Sequence, residues 1–570
     1  MKHFNLSNRR EEQLQPHSRR ALFLLVWLVV ALMLPNVVLA FTEGYNGWSV
    51  AAGLTLPLGL YLLTMSLTRR VSLVGVVLMP VLALCMVQLV LLYLYGGSII
   101  AVDMFTNIMT TNTAESRELL GGMVPIIVVV LALYLPLFYA LFRQLGSRHY
   151  AISGVAQKAA ILVGGVLTIA GVQLLCVANY TSEARVVRDE LFPVNVMHNL
   201  RLAVENGRAV RQFSERTEGF SYEAERVDCV AGREVYVYVI GESSRAANWS
   251  LYGYERATNP RLGSRDDLCL FKNVVTRSNT THKSVPIMLS PMGVDEFSEI
   301  FSHKGIAALF GEAGFRTCFI SAQSPQGAMV DKLAAECDKV IYVDPRSHDE
   351  RLVQQLKAQI VADMDSDLLF VLHCYGSHYC YNHRYPGEFA LFQPDAQVKV
   401  DAENVRSLHN AYDNSILYTD YLLNQIIEFL ESLDLCSAML YCSDHGEGLF
   451  DDARGHFLHA SPEVNYYQLH VPALVWFSER YRSAFPEKVA LAHRHRWSPA
   501  TTSAMPCTLV DIAGIHTRYL DNRYSLVDAR FDGALPRLYV DDRNESVAFD
   551  EGVGISDLDR REFWLRGIEL

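Results

Sequence analysis

The chain has 570 residues, more than one ordinary domain holds. Half of them are hydrophobic, yet nearly all the long apolar runs fall within residues 21–180, and 181–570 reads as a soluble globular protein. A formal charge of −12 gives no support for general nucleic-acid binding.

Five segments, 21–40, 48–66, 71–95, 122–144 and 159–178, approach the roughly 20 apolar residues that cross a bilayer. Arg9, Arg10, Arg19 and Arg20 precede the first, Arg69 and Arg70 separate the second from the third, and Arg143, Arg148 and Lys158 separate the fourth from the fifth. The other two connections, 41–47 and 96–121, carry few basic residues. The positive-inside rule then places the N-terminus in the cytoplasm, and an odd number of spans exports residues 179–570. Val38-Leu39-Ala40 faintly resembles a signal-peptidase site, but the first apolar run is long and four more follow, so a retained span is expected.

Between the third and fourth spans, Asn107, Thr111 and Glu115 fall at i, i+4 and i+8, one face of a helix. That face is either plainly solvated or a polar patch at the membrane surface that receives a lipid head group. Segment 186–213 has helical spacing and is expected to lie on the membrane surface, pack on the soluble domain, or serve as a linker helix. Beyond it come strand candidates 235–240, 316–321, 339–344, 367–373, 437–442 and 470–477, with helical stretches such as 350–364 and 409–432 between them. Alternating strands and helices predict an α/β domain with a mainly parallel sheet covered on both faces.

Nine cysteines are exported: Cys229, Cys269, Cys318, Cys337, Cys374, Cys380, Cys436, Cys442 and Cys507. An odd number leaves at least one free or intermolecular. Cys374–Cys380 and Cys436–Cys442 are close enough in sequence to bridge, while Cys318 and Cys442 read equally well as small buried thiols on strands.

Three regions carry chemistry. VYVYVIGESSR (235–245) ends an apolar strand in Glu242, and SAMLYCSDHGEG (437–448) ends another in Asp444-His445. An open α/β sheet delivers ligands to one edge in this way, and two carboxylates with an imidazole suit zinc. Gly446 is expected to let the backbone turn close to the metal. The third region, FKNVVTRSNTTHKS (271–284), reads as a strand-like run and a loop entering a helix. A threonine at that helix N-terminus gains from the helix dipole and nearby N–H groups, and metal contact would make its oxygen a nucleophile. Thr280 and Thr281 both qualify, the other serving as N-cap. His378 and His459 lie in loops expected at the same sheet edge, suited to binding phosphoryl oxygens, protonating a leaving group or holding a second metal. His456, His373 and His383 read as structural or surface residues, and Lys283 as a solvated lysine.

With GESSRAANWSLYGYERATNP (241–260), the threonine segment, GSHYCYNHRYP (376–386), SDHGEG (443–448) and FLHA (457–460) in view, the chain resembles the membrane phosphoethanolamine transferases that modify lipopolysaccharide, including the mobile colistin-resistance enzymes, within the alkaline-phosphatase-like superfamily. The resemblance covers nearly the whole chain. It implies a cytoplasmic segment at 1–20, a five-helix transmembrane domain at 21–180, a connector with interfacial helices at 181–232 and a periplasmic alkaline-phosphatase/sulfatase-like domain at 233–570, all in the bacterial inner membrane. It makes Glu242, Asp444, His445 and the threonine Zn2+ ligands, the threonine the covalent nucleophile, and His378 and His459 the holders of the phosphoryl group or of a second zinc during turnover. Asn107, Thr111 and Glu115 match residues that bind lipid substrate. The implied reaction moves phosphoethanolamine from phosphatidylethanolamine to lipid A or core oligosaccharide, by a monomer that binds no nucleic acid. A phosphoglycerol transferase or another sulfatase-like membrane hydrolase is the alternative. Better-known members carry Cys-Gly-Thr at the nucleophile and a disulfide from that Cys. Here Asn279-Thr280-Thr281 and Ile287 preclude it. Thr281-His-Lys-Ser284 matches the superfamily's Thr-x-x-Ala/Ser spacing, which favours Thr281 and leaves Thr280 open. Gln326 stands where relatives often carry a substrate-contacting lysine.

Overall fold

The computed structural model describes residues 4–568 except 43–44, 96–99, 111–112, 147–149, 182–185, 228–229, 231, 293–294, 326, 345, 397–403, 452–456, 461–463, 551–552 and 554. The chain divides into two compact units, one of residues 1–101 and 114–202, the other of 102–113 and 203–570.

The first unit is helical. Among the described residues, four helices are long and apolar enough to cross a membrane: Ser18–Thr42, Gly47–Met65, Val124–Leu145 and Gly154–Thr181. The expected span 71–95 is broken into Val71–Val77 and Met79–Leu92, bent by 62°, so the total is five only if this pair counts as one span. Pro80 explains the break, because it has no N–H to give the Val76 carbonyl. Glycines bring Gly47–Met65 and Gly154–Thr181 together: a Cβ on Gly59 would lie 2.6 Å from the Thr168 nitrogen, and one on Gly171 2.6 Å from the Leu56 Cα.

The second unit is built on a seven-stranded sheet. In chain order its strands are β1 (Glu234–Gly241), β2 (Leu268–Phe271), β3 (Arg316–Ser321), β4 (Lys339–Tyr342), β5 (Leu368–His373), β6 (Cys436–Ser443) and β7 (Ala473–Phe477). Their spatial order is β2-β7-β6-β1-β5-β3-β4. Neighbours from β6 to β4 run parallel, but β7 is antiparallel to both β6 and β2, so the sheet is mixed rather than simply parallel. The period-two alternation sorts side chains to two cores. Tyr236, Tyr238 and Ile240 pack on one face with helices Ile306–Glu312 and Ala504–Ile512. Val235, Val237 and Val239 pack on the other with helix Val405–Ser432. The connector helix Val194–Arg216 joins the first core through Ala209 and Phe213.

Two expectations change. The run before Thr281 contributes only its first residue, Phe271, to the central sheet, as the end of β2; Val274–Val275 pairs with Ala500–Thr501 in a separate two-stranded sheet. The cysteines described, including Cys374, Cys380, Cys436 and Cys442, are free thiols. Cys436 and Cys442 stand at opposite ends of β6, and an extended strand holds residues six apart roughly 20 Å from each other, far beyond disulfide reach.

Gly376, just past β5, has φ 54°, and a Cβ there would meet the Glu242 carbonyl at 2.6 Å. Gly376→Ala is therefore expected to destabilise the fold by about 1–3 kcal/mol, through overpacking and left-handed backbone strain, read as a lower melting temperature.

Candidate metal and nucleophile site

Strand register builds the acidic half of the site. Gly241 of β1 pairs with Ser443 of β6, so the next residues, Glu242 and Asp444, leave the sheet side by side. The Asp444 amide continues the ladder to the Gly241 carbonyl at 3.0 Å. The Ser243 amide donates to Asp444 Oδ1 at 3.1 Å and its hydroxyl to Glu242 Oε1 at 2.7 Å. Both acids are buried, at 1% and 0% exposure. Burial, and then the neighbouring Asp444, push Glu242 up to about 7; burial pushes Asp444 up to about 7 against the Ser243 and His445 amides that hold it down.

His445 is oriented by its own backbone. Its Nδ1 lies 2.9 Å from the Gly446 carbonyl, which only accepts, so Nδ1 carries the proton and Nε2 the lone pair. That Nε2 stands 3.3 Å from Asp444 Oδ2, 3.5 Å from Glu242 Oε1 and 3.1 Å from Thr281 Oγ1. Burial pushes the imidazole down to about 4, which keeps it neutral.

Thr281 opens the helix Thr281–Met288, and its Oγ1 lies 3.2 Å from Glu242 Oε2. Thr280 is the residue before the helix. Its hydroxyl turns to Ser278 at 3.2 Å, and it is 1% exposed. The rest of the first turn is held as firmly. Ser284 donates to the Asp444 carbonyl at 2.6 Å. His282 Nε2 lies 3.0 Å, and Lys283 Nζ 2.8 Å, from Asp103 Oδ1, and Lys283 also donates to the Asp541 carbonyl at 2.6 Å. Lys283 is buried at 1% exposure, so it is no solvated lysine. Burial works to raise the Asp103 carboxyl, but Lys283 and then His282 hold it below the usual carboxylate value.

On the other side, His459 Nδ1 lies 2.7 Å from Glu447 Oε2, and the Tyr381 hydroxyl donates to Glu447 Oε1 at 2.7 Å. Burial pushes Glu447 up to about 8 and His459 down to about 4. The His459 ring stacks 4.1 Å from that of His445 and lies 6.1 Å from that of His378. His378 Nδ1 is buried without a hydrogen bond, and burial, followed by Arg384, pushes that imidazole far below its usual value.

The residues fit a divalent cation. Glu242, His445 and His459 each offer a ligand atom, all within 4.8 Å of one another. Asp444 Oδ2 is buried with no hydrogen bond, and the Thr281 hydroxyl borders the same space. Two buried carboxylates, an imidazole lone pair and a hydroxyl form a donor set suited to zinc, and an unpaired buried anion is costly without a cation.

Some expected residues fall elsewhere. Thr111, His456 and Gln326 lie outside the described residues, as do the side chains of Asn107 and Glu115. His383 is exposed. Close packing by itself requires Gly446, since a Cβ there would sit 2.0 Å from the Tyr467 carbonyl. Sequence reasoning missed Gln323, whose Nε2 donates to Glu242 Oε2 at 2.8 Å, and also Glu447, Asp103 and His373. Of these only Glu447 carried a signal, as the acid of Asp-His-Gly-Glu.

Comparison with known proteins follows the same division of the chain. Residues 58–206 match the family described as phosphoethanolamine transferase EptA/EptB, and residues 234–515 the family described as sulfatase. The chain is similar to phosphoethanolamine transferase EptA of Salmonella typhimurium, 29% identical over 50% of this chain and 54% of that protein. The Kdo(2)-lipid A phosphoethanolamine 7''-transferase of Escherichia coli K12 is 26% identical over 78% of this chain and 83% of its own length. The chain spans about half the length of most of the first curated relatives it matches, 44% to 54%. In fold it resembles the integral membrane lipooligosaccharide phosphoethanolamine transferase A of Neisseria meningitidis, with TM-score 0.67 and 21% identity over 88% of this chain and 98% of that one. The periplasmic domain of Escherichia coli EcEptC, solved with Zn, gives TM-score 0.52 and 23% identity over 57% and 95%.

Two outcomes test the geometry. Asp103→Asn strands the buried Lys283 ammonium and is expected to cost about 3–5 kcal/mol in unfolding experiments. Adding Lys283→Met should recover part of that loss, because the unpaired charge is gone. In metal-free folded protein, Glu242 and Asp444 keep their protons up to about pH 7, whereas the unfolded chain releases them near 4.5 and 3.8. Raising the pH from about 4.5 through 7 therefore removes the stability contributed by these two acids, while the depressed imidazoles of His445 and His459 act in the opposite direction. Zinc, which takes the place of those protons, should restore it. Melting curves of stripped wild type and stripped Glu242→Gln across this window check the sign; a wild type that gains stability relative to the variant as the pH rises would contradict it.

Proposed function

We propose that this chain, which belongs to the membrane phosphoethanolamine transferases by its EptA/EptB-type N-terminal domain and its sulfatase domain, moves phosphoethanolamine from phosphatidylethanolamine onto lipid A or core oligosaccharide. The observation that carries the reading is the Thr281 hydroxyl at a helix N-terminus, 3.2 Å from Glu242 and 3.1 Å from the lone pair of His445. A hydroxyl so placed borders the groups that would hold a cation and activate it, with the helix N-terminus beside it for phosphoryl oxygens.

In the first step the Thr281 oxygen attacks the phosphorus of phosphatidylethanolamine. The bond to the diacylglycerol oxygen breaks, and that oxygen leaves with a proton. Phosphoethanolamine stays on Thr281. In the second step a hydroxyl or phosphate oxygen of the acceptor attacks the same phosphorus, and the threonine oxygen leaves and recovers its proton. His459, steadied by Glu447, and His378 border the space the phosphoryl group would fill, where an N–H of each neutral ring donates to its oxygens; the proton given up by Thr281 goes to the leaving oxygen. Zn2+ held by Glu242, Thr281, Asp444 and His445 would lower the pKa of the threonine hydroxyl and screen the charge gathered by phosphorus. A second ion would fall to His459 and His378.

The apolar helices keep the enzyme in the inner membrane, where its donor lies, with residues 203–570 in the periplasm. Masking acceptor phosphates with an aminoethyl group lowers negative surface charge and so weakens the binding of cationic peptides. Asn107, Thr111 and Glu115 are proposed to receive the lipid.

Intact mass of the zinc-loaded, full-length protein after incubation with phosphatidylethanolamine tests the reading. One phosphoethanolamine should be gained, and peptide mapping should place it on Thr281. Thr281→Ala should abolish it and slow transfer by roughly 10⁴-fold or more, while Thr280→Ala should still be labelled. An adduct on Thr280 would move the nucleophile, and a glycerophosphate adduct from phosphatidylglycerol alone would change the head group.

A further inference from the structure

A cavity of about 30 Å³ opens beside the nucleophile, its lining including Thr281, Phe319, Gln323, Asp331, Tyr342 and His373. The hydrogen bonds around it fix what its walls present. The Ser321 hydroxyl donates its single proton to the Gln323 carbonyl at 3.0 Å. Toward His373 Nδ1, 3.2 Å away, it must then accept, so Nδ1 carries the proton. His373 Nε2 is left with a bare lone pair. The residue is 4% exposed, and this nitrogen has no hydrogen bond. Burial pushes the imidazole down to about 4 and keeps it an acceptor.

The other walls agree. Tyr342 donates its hydroxyl proton to Asp331 Oδ1 at 2.8 Å, which leaves oxygen lone pairs. Both amide hydrogens of Gln323 have acceptors, Glu242 Oε2 at 2.8 Å and the Cys374 carbonyl at 3.0 Å, which leaves its Oε1. Asp331 adds a carboxylate, and Phe319 and Tyr342 add ring faces. A hydroxyl on Ser324 serves either role. Lone pairs, one anion and aromatic faces around a space of roughly one water molecule suit a group that only donates and carries positive charge.

We propose that this cavity is a primary-ammonium subsite that seats the amine of the transferred head group while its phosphorus faces Thr281. The inference rests on the transfer reading above and adds the basis of head-group selection. His373 Nε2, Gln323 Oε1 and Asp331, whose Oδ2 also accepts from the Gly327 and Ala328 amides, are the acceptors the lining offers to the ammonium's N–H bonds. A trimethylammonium is too large for the space and has no N–H, and the hydroxyls of glycerol bring no charge to Asp331.

The test is adduct formation by the full-length, zinc-loaded protein with a series of lipids: phosphatidylethanolamine, its N-methyl and N,N-dimethyl forms, and phosphatidylcholine. Labelling should fall by roughly tenfold or more across the first two methylations and vanish with phosphatidylcholine. His373→Phe keeps the ring's bulk and removes Nε2. It should raise KM for phosphatidylethanolamine by roughly tenfold, leave kcat within about twofold, and narrow the discrimination against the dimethyl lipid. Asp331→Asn should act in the same direction and serves if the buried histidine variant does not fold. Equal labelling by phosphatidylethanolamine and phosphatidylcholine, or unchanged discrimination in Asp331→Asn, overturns the subsite alone. No labelling by any lipid in protein that holds zinc overturns the transfer reading, and the subsite with it.

Discussion

Two carboxyl groups forced together out of water are the constraint on which this site depends. Gly241 and Ser443 are paired across adjacent parallel strands, and the next residue of each strand is an acid. Neither chain can turn its acid away without breaking the ladder at the centre of a seven-stranded sheet. The energy of the sheet is thus spent on holding Glu242 and Asp444 in a state that favours either two protons or one cation. His445 follows directly from the same strand and turns its lone pair to the same point. The site is therefore preorganised by backbone hydrogen bonds, which are harder to perturb than a loop would be.

Thr281, the proposed nucleophile, reaches this point by another route. No sheet strand carries Thr281; a short helix does, and four consecutive side chains of its first turn are fixed. Thr281 meets the acid and the imidazole, His282 and Lys283 meet Asp103, and Ser284 meets the carbonyl of Asp444 itself. A helix turn pinned on several sides cannot rotate, so the position of one hydroxyl is set by contacts that never touch it. Precision at the reacting atom comes from this surrounding frame.

What was legible in the sequence followed from local pattern. Apolar alternation ending in Glu242 or in Asp444-His445 announced strands of an α/β sheet, and these strands form within a residue or two of their expected bounds. Thr280 and Thr281 could not be separated by pattern, because both stand at one helix start; only the direction of their hydroxyls divides them. Gln323, His373 and Asp103 come from distant segments and act through a few long-range contacts, which leave no spacing to read. The antiparallel placement of β7 was hidden for the same reason, since a buried apolar run reads alike in either direction. Hydropathy also missed the bend at Pro80, because averaging over a span ignores a single missing N–H.

The residues that precede the fourth span's helix have a further consequence. Helix Val102–Thr110 lies between apolar segments in the chain, yet its Asp103 neutralises Lys283 and its Val102 amide donates to the Asp542 carbonyl at 3.3 Å. The catalytic fold is thus discontinuous in sequence. A fragment excised downstream of the apolar region would be an incomplete domain: it would lack the Asp103 carboxylate for a buried lysine two residues from Thr281. Such a fragment would lack one of the contacts that fix the first turn of that helix, and a domain boundary drawn as one cut would misplace residues 102–113.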